Sequence, residues 1–168
     1  MKLKEINKKL YRNHLRLVFI GIAFVLLVIS VSTSTVFIYL FSEPEVSHFI
    51  YNLLGVIFAA IVVYMVLNKY RQHSFMLEVV YVWDLKQQLN RINRKLRKIE
   101  AAVEKDDKDA VVIMSFLYRG SKQLYELDDN TITMDSLISK SNVLDQRMKK
   151  MGLSAATSNY EQSMLEKF

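Results

Sequence analysis

The sequence predicts an all-α membrane protein in which a hairpin of two transmembrane helices is followed by a cytoplasmic antiparallel helical bundle, or coiled-coil hairpin. Two long uncharged stretches lie in the first 67 residues, and 51% of all residues are hydrophobic. After residue 74, apolar side chains recur at steps of three and four, which is the spacing of a helical seam. The brief run Val111-Val112-Ile113 has strand-like composition, but helical patterns flank it on both sides.

The first sixteen residues form a basic segment. It contains six lysines and arginines and a single acid, Glu5. Basic residues beside an apolar stretch favour the cytoplasmic side of a membrane. Residues 1–16 are therefore predicted to be a cytoplasmic N-terminal segment.

Residues 17–41 and 46–67 are predicted to span the membrane, because each uncharged stretch exceeds the roughly 20 residues that a crossing helix needs. The alternative for the first stretch is a cleaved signal peptide, with small residues at Ser32, Thr33 and Ser34. Its apolar run continues to Phe41, well beyond a typical h-region of about 7–15 residues, which favours a retained span.

The outer loop is predicted to be residues 42–45. It has two acids and the only proline of the chain, whereas Lys69 and Arg71 follow the second span. By the positive-inside rule both termini face the cytoplasm, and aromatic residues cluster near both predicted interfaces.

Small residues four positions apart are predicted to pack the two spans together. Ser30 and Ser34 precede the turn at Pro44 by distances similar to those at which Gly55 and Ala59 follow it. Small residues allow helix backbones to approach in lipid. The wider run of serines and threonines at 30–35 has two interpretations, which are helix packing and a pore-lining face in an oligomer.

Residues 68–168 are predicted to form the cytoplasmic domain, with helices at about 74–104, 110–127, 134–151 and 158–168. Aspartates near 106–109 predict a cap for the second helix, an acidic turn follows residue 127, and Gly152 predicts the end of the third helix. The last segment is expected to dock onto the bundle. The first seam comprises Val82, Leu85, Leu89, Ile92, Leu96, Ile99 and Val103.

The start of the first cytoplasmic helix is apolar on more than one face, which predicts that something covers it and makes it a candidate protein interaction surface. The alternatives are cover by the loop at 128–132 and the C-terminal segment, or contact with lipid headgroups. A partner protein or a second copy of the chain is the remaining occupant. The candidate residues are Phe75, Met76, Val79, Val80, Tyr81 and Trp83.

A run of positive charge lies on the outer face of the same helix and is a weak candidate for anion contact. Acidic residues follow it at once and no aromatic side chains interleave, so nucleic acid is an improbable ligand and a solvated face is favoured. Its members are Arg91, Arg94, Lys95, Arg97 and Lys98.

The residues that carry recognisable chemistry are scarce. The chain has no cysteine, three histidines and four glycines, without a phosphate-binding loop or a nucleophile beside a base. We therefore expect a non-enzymatic protein with no cofactor, no metal site and no small-molecule substrate.

Four short motifs together with the two spans resemble the 3087 family of domains of unknown function. They are Met1–Ile6, His73–Met76, Tyr81–Gln87 and Leu127–Thr131. The resemblance implies a small two-span protein of the bacterial inner membrane in gammaproteobacteria, and it transfers no catalytic or binding residue.

The favoured interpretation is an accessory or scaffold protein whose cytoplasmic domain binds another protein or a second copy of the chain. One alternative is a homo-oligomeric channel or membrane-remodelling protein that acts through its spans. A further alternative is a membrane-tethered nucleic-acid binder that acts through the basic face.

Overall fold

The computed structural model describes residues 2–43, 47–130, 132–153 and 159–168, and all regular structure within them is helical. The chain divides into two compact units, one formed by Lys9–Val80 and the other by Met1–Lys8 together with Tyr81–Phe168. The helices are α1 (Lys8–Phe41), α2 (Phe49–Tyr70), α3 (Leu77–Arg94), α4 (Leu96–Glu104), α5 (Lys108–Asp128) and α6 (Met134–Lys150), with 3₁₀ helices at Ser74–Met76 and Gln162–Lys167.

The Lys9–Val80 unit, here called the span unit, contains two helices that are long and apolar enough to cross a membrane. At 1.5 Å per residue, the 22 residues of α2 extend about 33 Å, close to the thickness of a bilayer's hydrocarbon core. Helix α1 begins at Lys8, so the second half of the predicted basic segment 1–16 is helical. Of the predicted outer loop, Pro44 and Glu45 lie outside the described residues.

The predicted helix at 74–104 is interrupted. It opens with the 3₁₀ helix, and Lys95 then separates α3 from α4 with φ −110° and ψ 8°. The Lys95 N–H donates to the Ile92 carbonyl, three residues earlier, and its ammonium group donates to the Leu165 carbonyl at 2.6 Å. The break between α3 and α4 is therefore accompanied by a contact with the C-terminal segment, and the heptad pattern does not reveal this break. Helix α2 also ends before this region, at Tyr70.

The second unit, here called the bundle unit, is built around α5, which packs against α4, α6 and the C-terminal 3₁₀ helix. The seam residues Leu85, Leu89 and Ile92 are buried. Gly120 permits close packing, because a Cβ placed there would lie 3.0 Å from Leu89 Cδ2. The buried cluster comprises Leu85, Leu89, Ile92, Ile99, Ala110, Val111, Ile113, Met114, Phe116, Leu117, Leu144, Met148, Tyr160 and Leu165.

The helix ends follow the signals in the sequence. The Asp107 carboxylate accepts a hydrogen bond from the Ala110 N–H at 3.0 Å and caps α5. Gly152, with φ 68°, follows α6 and the Leu153 N–H reaches back to the Met148 carbonyl, which is the bonding of a Schellman turn. The predicted boundaries of these helices therefore differ from the observed ones by no more than two residues.

The C-terminal segment packs on the bundle as the sequence predicts, but as a short 3₁₀ helix. The predicted start at Ser158 lies outside the described residues. Tyr160 is buried and its ring stacks on Phe116, with centroids 4.1 Å apart. The Tyr160 hydroxyl accepts a hydrogen bond from the Gln88 amide, so a buried polar pair ties this segment to α3.

Candidate interaction surfaces

Four of the six candidate interaction residues belong to the span unit, and the structure covers them to different degrees. Phe75 is half-buried and its ring lies against His14, with centroids 4.2 Å apart. Met76 is buried, while Val79 and Val80 are half-buried. Much of the apolar stretch is therefore at least half-buried, and the contact of Phe75 with His14 lies within the span unit.

Tyr81 lies in the bundle unit, where it holds the N-terminal segment. The Lys4 N–H donates to the Tyr81 hydroxyl at 2.8 Å, and that hydroxyl donates to Gln123 Oε1 at 2.9 Å. The Gln123 amide in turn donates to the Lys4 carbonyl, which closes a ring of three hydrogen bonds. Burial raises the pKa of Tyr81, although both hydrogen-bond partners act to lower it.

The docking of the N-terminal segment was not anticipated from the sequence. Leu3 packs against the buried cluster, and the Lys8 ammonium pairs with the Asp129 carboxylate. One signal was available, because Leu3 and Ile6 are apolar residues three positions apart in a segment that is otherwise mostly charged. The segment is thus part of the bundle unit and also leads into α1.

Trp83 differs from its neighbours. Its side chain is 62% exposed, whereas the adjacent Val82 is 2% exposed. An exposed tryptophan is a large apolar surface that the chain does not cover, and tryptophan is among the residues most enriched at the energetic centres of protein interfaces. Of the six candidate residues, Trp83 has the geometry of a free contact point.

The basic face is partly occupied by the protein itself. The ammonium groups of Lys95 and Lys98 donate to the carbonyl oxygens of Leu165 and Phe168, at 2.6 and 2.8 Å. Arg91, Arg94 and Arg97 are exposed. The five charges therefore do not form one continuous patch, and two of them fix the C-terminal segment.

The acidic cluster after α4 is neutralised by basic side chains. The Lys167 ammonium lies 2.7 Å from Asp107 and 3.1 Å from Asp109, and Arg147 pairs with Asp106 at 2.7 Å. The hydrogen bond from Lys167 and the Ala110 N–H lower the pKa of Asp107, while both aspartates raise the pKa of Lys167. In the described parts of the chain, no group of three histidine or acidic side chains is arranged to hold a metal ion.

A groove between α4, α5 and α6 is a second surface, which sequence reasoning missed. It encloses about 400 Å³ and has Val103, Tyr118 and Val143 among its lining, with Glu100 and Glu104 on the α4 side. Val143 is 67% exposed. Burial raises the pKa of Tyr118, and the negative charge of the Glu100 carboxylate raises it further. The available signal was Val143 itself, an apolar residue beside the α6 stripe instead of on it.

The four small span residues have the following positions. A Cβ on Gly55 would lie 2.7 Å from the Ser30 carbonyl oxygen and 3.0 Å from Ser34 Cβ, and Ala59 is fully buried. The Ser34 hydroxyl donates to the Asn52 side chain, and the Ser30 hydroxyl donates to the Leu27 carbonyl at 3.2 Å. Ser30, Ser34 and Gly55 thus lie at the contact between the two helices.

The family model described as "Protein of unknown function (DUF3087)" matches residues 1–165. The chain belongs to this family. No curated protein and no solved structure matches the chain. The match covers the span helices, the N-terminal segment and all of the bundle unit except its last three residues. The surfaces described above are therefore the basis for inferring what this DUF3087 protein does.

Proposed function

We propose that this protein is a non-enzymatic scaffold or accessory protein of the bacterial inner membrane, anchored by α1 and α2, with both termini and the bundle unit in the cytoplasm. The supporting observation is the uncovered apolar surface of the span helices. In the most apolar part of α1 no residue is buried, and in the most apolar part of α2 only 17% of the residues are. Soluble proteins rarely expose contiguous apolar areas of this extent, whereas lipid covers them at no cost.

The distribution of charge supports the orientation. The basic residues Lys9, Arg12 and Arg16 directly precede the uncharged stretch of α1. Lys69 and Arg71 lie at the end of α2. The connection at the opposite end contains acids and no basic residue. This asymmetry is the one that places basic ends in the cytoplasm.

The absence of native cysteine permits a direct test of this topology. Single cysteines would be introduced at Ser42, in the outer connection, and at Ser163, in the C-terminal segment. A membrane-impermeant maleimide applied to intact spheroplasts is expected to label Ser42→Cys and to leave Ser163→Cys unlabelled until the cells are lysed. Equal labelling of both before lysis would exclude the proposed topology.

The proposed partner contact is centred on Trp83, because it offers a large uncovered apolar surface on a helix whose opposite face is packed in the core. Aromatic residues of this kind supply much of the binding energy in protein interfaces. A partner protein or a second copy of the chain would cover the indole, and the half-buried neighbours would contribute less.

The interaction test compares two substitutions on the same helix. Trp83→Asp and the matched control Asn93→Asp both place a carboxylate at an exposed position of α3, and Asn93 lies almost three turns away on a different face of the helix. We expect Trp83→Asp to retain membrane insertion and helix content but to weaken a co-purifying complex about tenfold or more, as for an interface hot spot. Intact-mass measurement after gentle detergent extraction would report the loss. An unchanged complex would remove Trp83 from the interface.

A further inference from the structure

The span unit contains an apolar cavity of about 380 Å³. It runs along the ends of α1 and α2 that carry basic residues, and the 3₁₀ helix Ser74–Met76 closes one side of it. Val63 and Tyr70 mark its extent on α2, a distance of about 10 Å at 1.5 Å per residue. Its volume is within the range of roughly 300–1,000 Å³ found for small-molecule sites. Residues that contribute to the lining include Gly21, Val25, Val63, Val66, Tyr70 and His73.

Gly21 leaves this space open on the α1 side. A Cβ placed on Gly21 would meet no atom within 4 Å, in contrast to the Cβ on Gly55, which would collide with the other helix. The two glycines of the spans therefore have opposite surroundings. Gly55 allows α1 and α2 to touch, whereas Gly21 faces a space that no side chain of the span unit fills.

Tyr70 and His73 line one end of the cavity and are its polar side chains. His73 Nδ1 accepts a hydrogen bond from the Phe75 N–H at 3.2 Å, so the neutral ring carries its proton on Nε2, where it is a donor. The Lys69 ammonium lies 6.0 Å from the centre of the Tyr70 ring. Lys69 directly precedes the lining residue Tyr70 in the chain, whereas Glu78, the acid nearest in sequence, is hydrogen-bonded to His14.

We propose that this cavity binds one acyl chain of an anionic phospholipid from the cytoplasmic leaflet. The hydrocarbon chain occupies the space beside Gly21, and the phosphate group lies between the Lys69 ammonium group and the His73 N–H. Charge complementarity selects this occupant, because basic pockets between membrane helices on the cytoplasmic side suit anionic headgroups. The inference rests on the proposed membrane insertion and adds a lipid site to it.

The test measures lipid binding to the intact full-length protein by native mass spectrometry. Phosphatidylglycerol and phosphatidylcholine with identical acyl chains would be titrated separately into the delipidated protein in detergent. We expect one phosphatidylglycerol to bind about tenfold or more tightly than phosphatidylcholine, because the Lys69 ammonium group and the His73 N–H meet the anionic headgroup.

Two substitutions on α1 separate the cavity from general contact with lipid. Gly21→Phe places a ring in the open space and is expected to reduce phosphatidylglycerol binding about tenfold. Ala23→Phe adds the same ring at an exposed position that does not line the cavity, so binding should be unchanged. Circular dichroism would verify that both variants retain their helices.

Each outcome has a distinct meaning. Equal binding of the two lipids by the unmodified protein overturns the proposal without reference to any variant, and an equal loss in both phenylalanine variants overturns it as well. Alkaline carbonate extraction is done in parallel. A chain held in the membrane that shows no lipid preference loses only this inference, whereas a chain released by carbonate loses the proposed anchor together with the lipid site.

Discussion

Helices α1 and α5 use similar apolar side chains in opposite ways. On α1, Phe19, Phe24 and Leu27 are 64%, 68% and 65% exposed, whereas on α5, Ile113 and Phe116 are fully buried. Helix α5 has charged residues in nearly every turn after Leu117, while α1 has none from Leu17 to its end. The apolar side chains of α5 are therefore buried within the chain, whereas those of α1 are exposed, and lipid would cover them in the proposed membrane anchor.

The contacts between helices differ in the same way. In the bundle unit, large side chains such as Leu85, Leu89 and Phe116 fill the space between helices, and exclusion of water drives their burial. In the span unit the helices are in close contact at Ser30, Ser34 and Gly55, where small residues leave room for the two backbones to approach. The contact in the bundle unit is therefore made by large side chains and this contact in the span unit by small ones.

The largest expected effect comes from removing a ring in the bundle core. Phe116→Ala deletes a fully buried side chain and its stacking on Tyr160, so we expect the free energy of unfolding to fall by about 3–5 kcal/mol. Urea unfolding of the full chain in detergent would be followed by the fluorescence of Trp83, the single tryptophan, which lies in the bundle unit.

Phe24→Ala is the matched control for that experiment. It removes the same ring from an exposed position on α1, where detergent or lipid replaces the lost contacts, so the unfolding transition of the bundle should not move. A loss of stability comparable to that of Phe116→Ala would mean that α1 is covered by protein, and the contrast between the two units would be wrong.

A smaller effect is expected at the contact between the spans. In Gly55→Ala the new Cβ would lie 2.7 Å from the Ser30 carbonyl oxygen, so the helices must separate, at a cost of about 1–3 kcal/mol. Spin labels on Phe24→Cys and Met65→Cys, at similar depths on the two spans, would report a longer and broader distance distribution.

Gly21→Ala tests whether this cost comes from the contact or from the loss of a glycine. Its Cβ meets nothing within 4 Å, and alanine favours the helix by up to about 1 kcal/mol, so the label distances should be preserved or sharpened. Equal broadening in both alanine variants would show that Gly55 does not hold the helices together.

Much of this fold could be predicted because periodicity and charge are local properties of the sequence. The two apolar helices, the buried seam from Val82 to Ile99, the Asp107 cap and the stop at Gly152 are each indicated by residues close together in the chain. The family was likewise recognised from short motifs. The membrane arrangement and the cytoplasmic side of the bundle stay predictions.

The features that sequence reasoning missed depend on contacts between distant residues. The N-terminal segment binds Tyr81 and Gln123 through the backbone of Lys4, and backbone groups leave no trace in a pattern of side chains. The interruption at Lys95 coincides with a contact to Leu165, seventy residues away. The candidate surface around residues 75–83 was judged from apolarity alone, which cannot separate the half-buried Val80 from the exposed Trp83.

The smallest expected effect concerns the polar pair that joins α3 to the C-terminal segment. Tyr160→Phe removes the hydroxyl that accepts a hydrogen bond from Gln88, and we expect the free energy of unfolding to fall by about 1 kcal/mol at neutral pH.

The contribution of Tyr160 to stability depends on pH. Burial raises the pKa of Tyr160, so the stabilising contribution of the neutral hydroxyl is present below the ordinary tyrosine pKa and is lost as the pH rises through the raised pKa of the folded state. Stability of the unmodified protein should therefore fall in alkaline solution, where Tyr81 and Tyr118 change in the same direction. Tyr160→Phe lacks the alkaline loss of stability that comes from Tyr160. The difference in the free energy of unfolding between the unmodified protein and Tyr160→Phe should therefore narrow as the pH rises above about 10. Urea midpoints measured from pH 8 to pH 11 would show this convergence, and two parallel curves would mean that the buried hydroxyl does not ionise on unfolding.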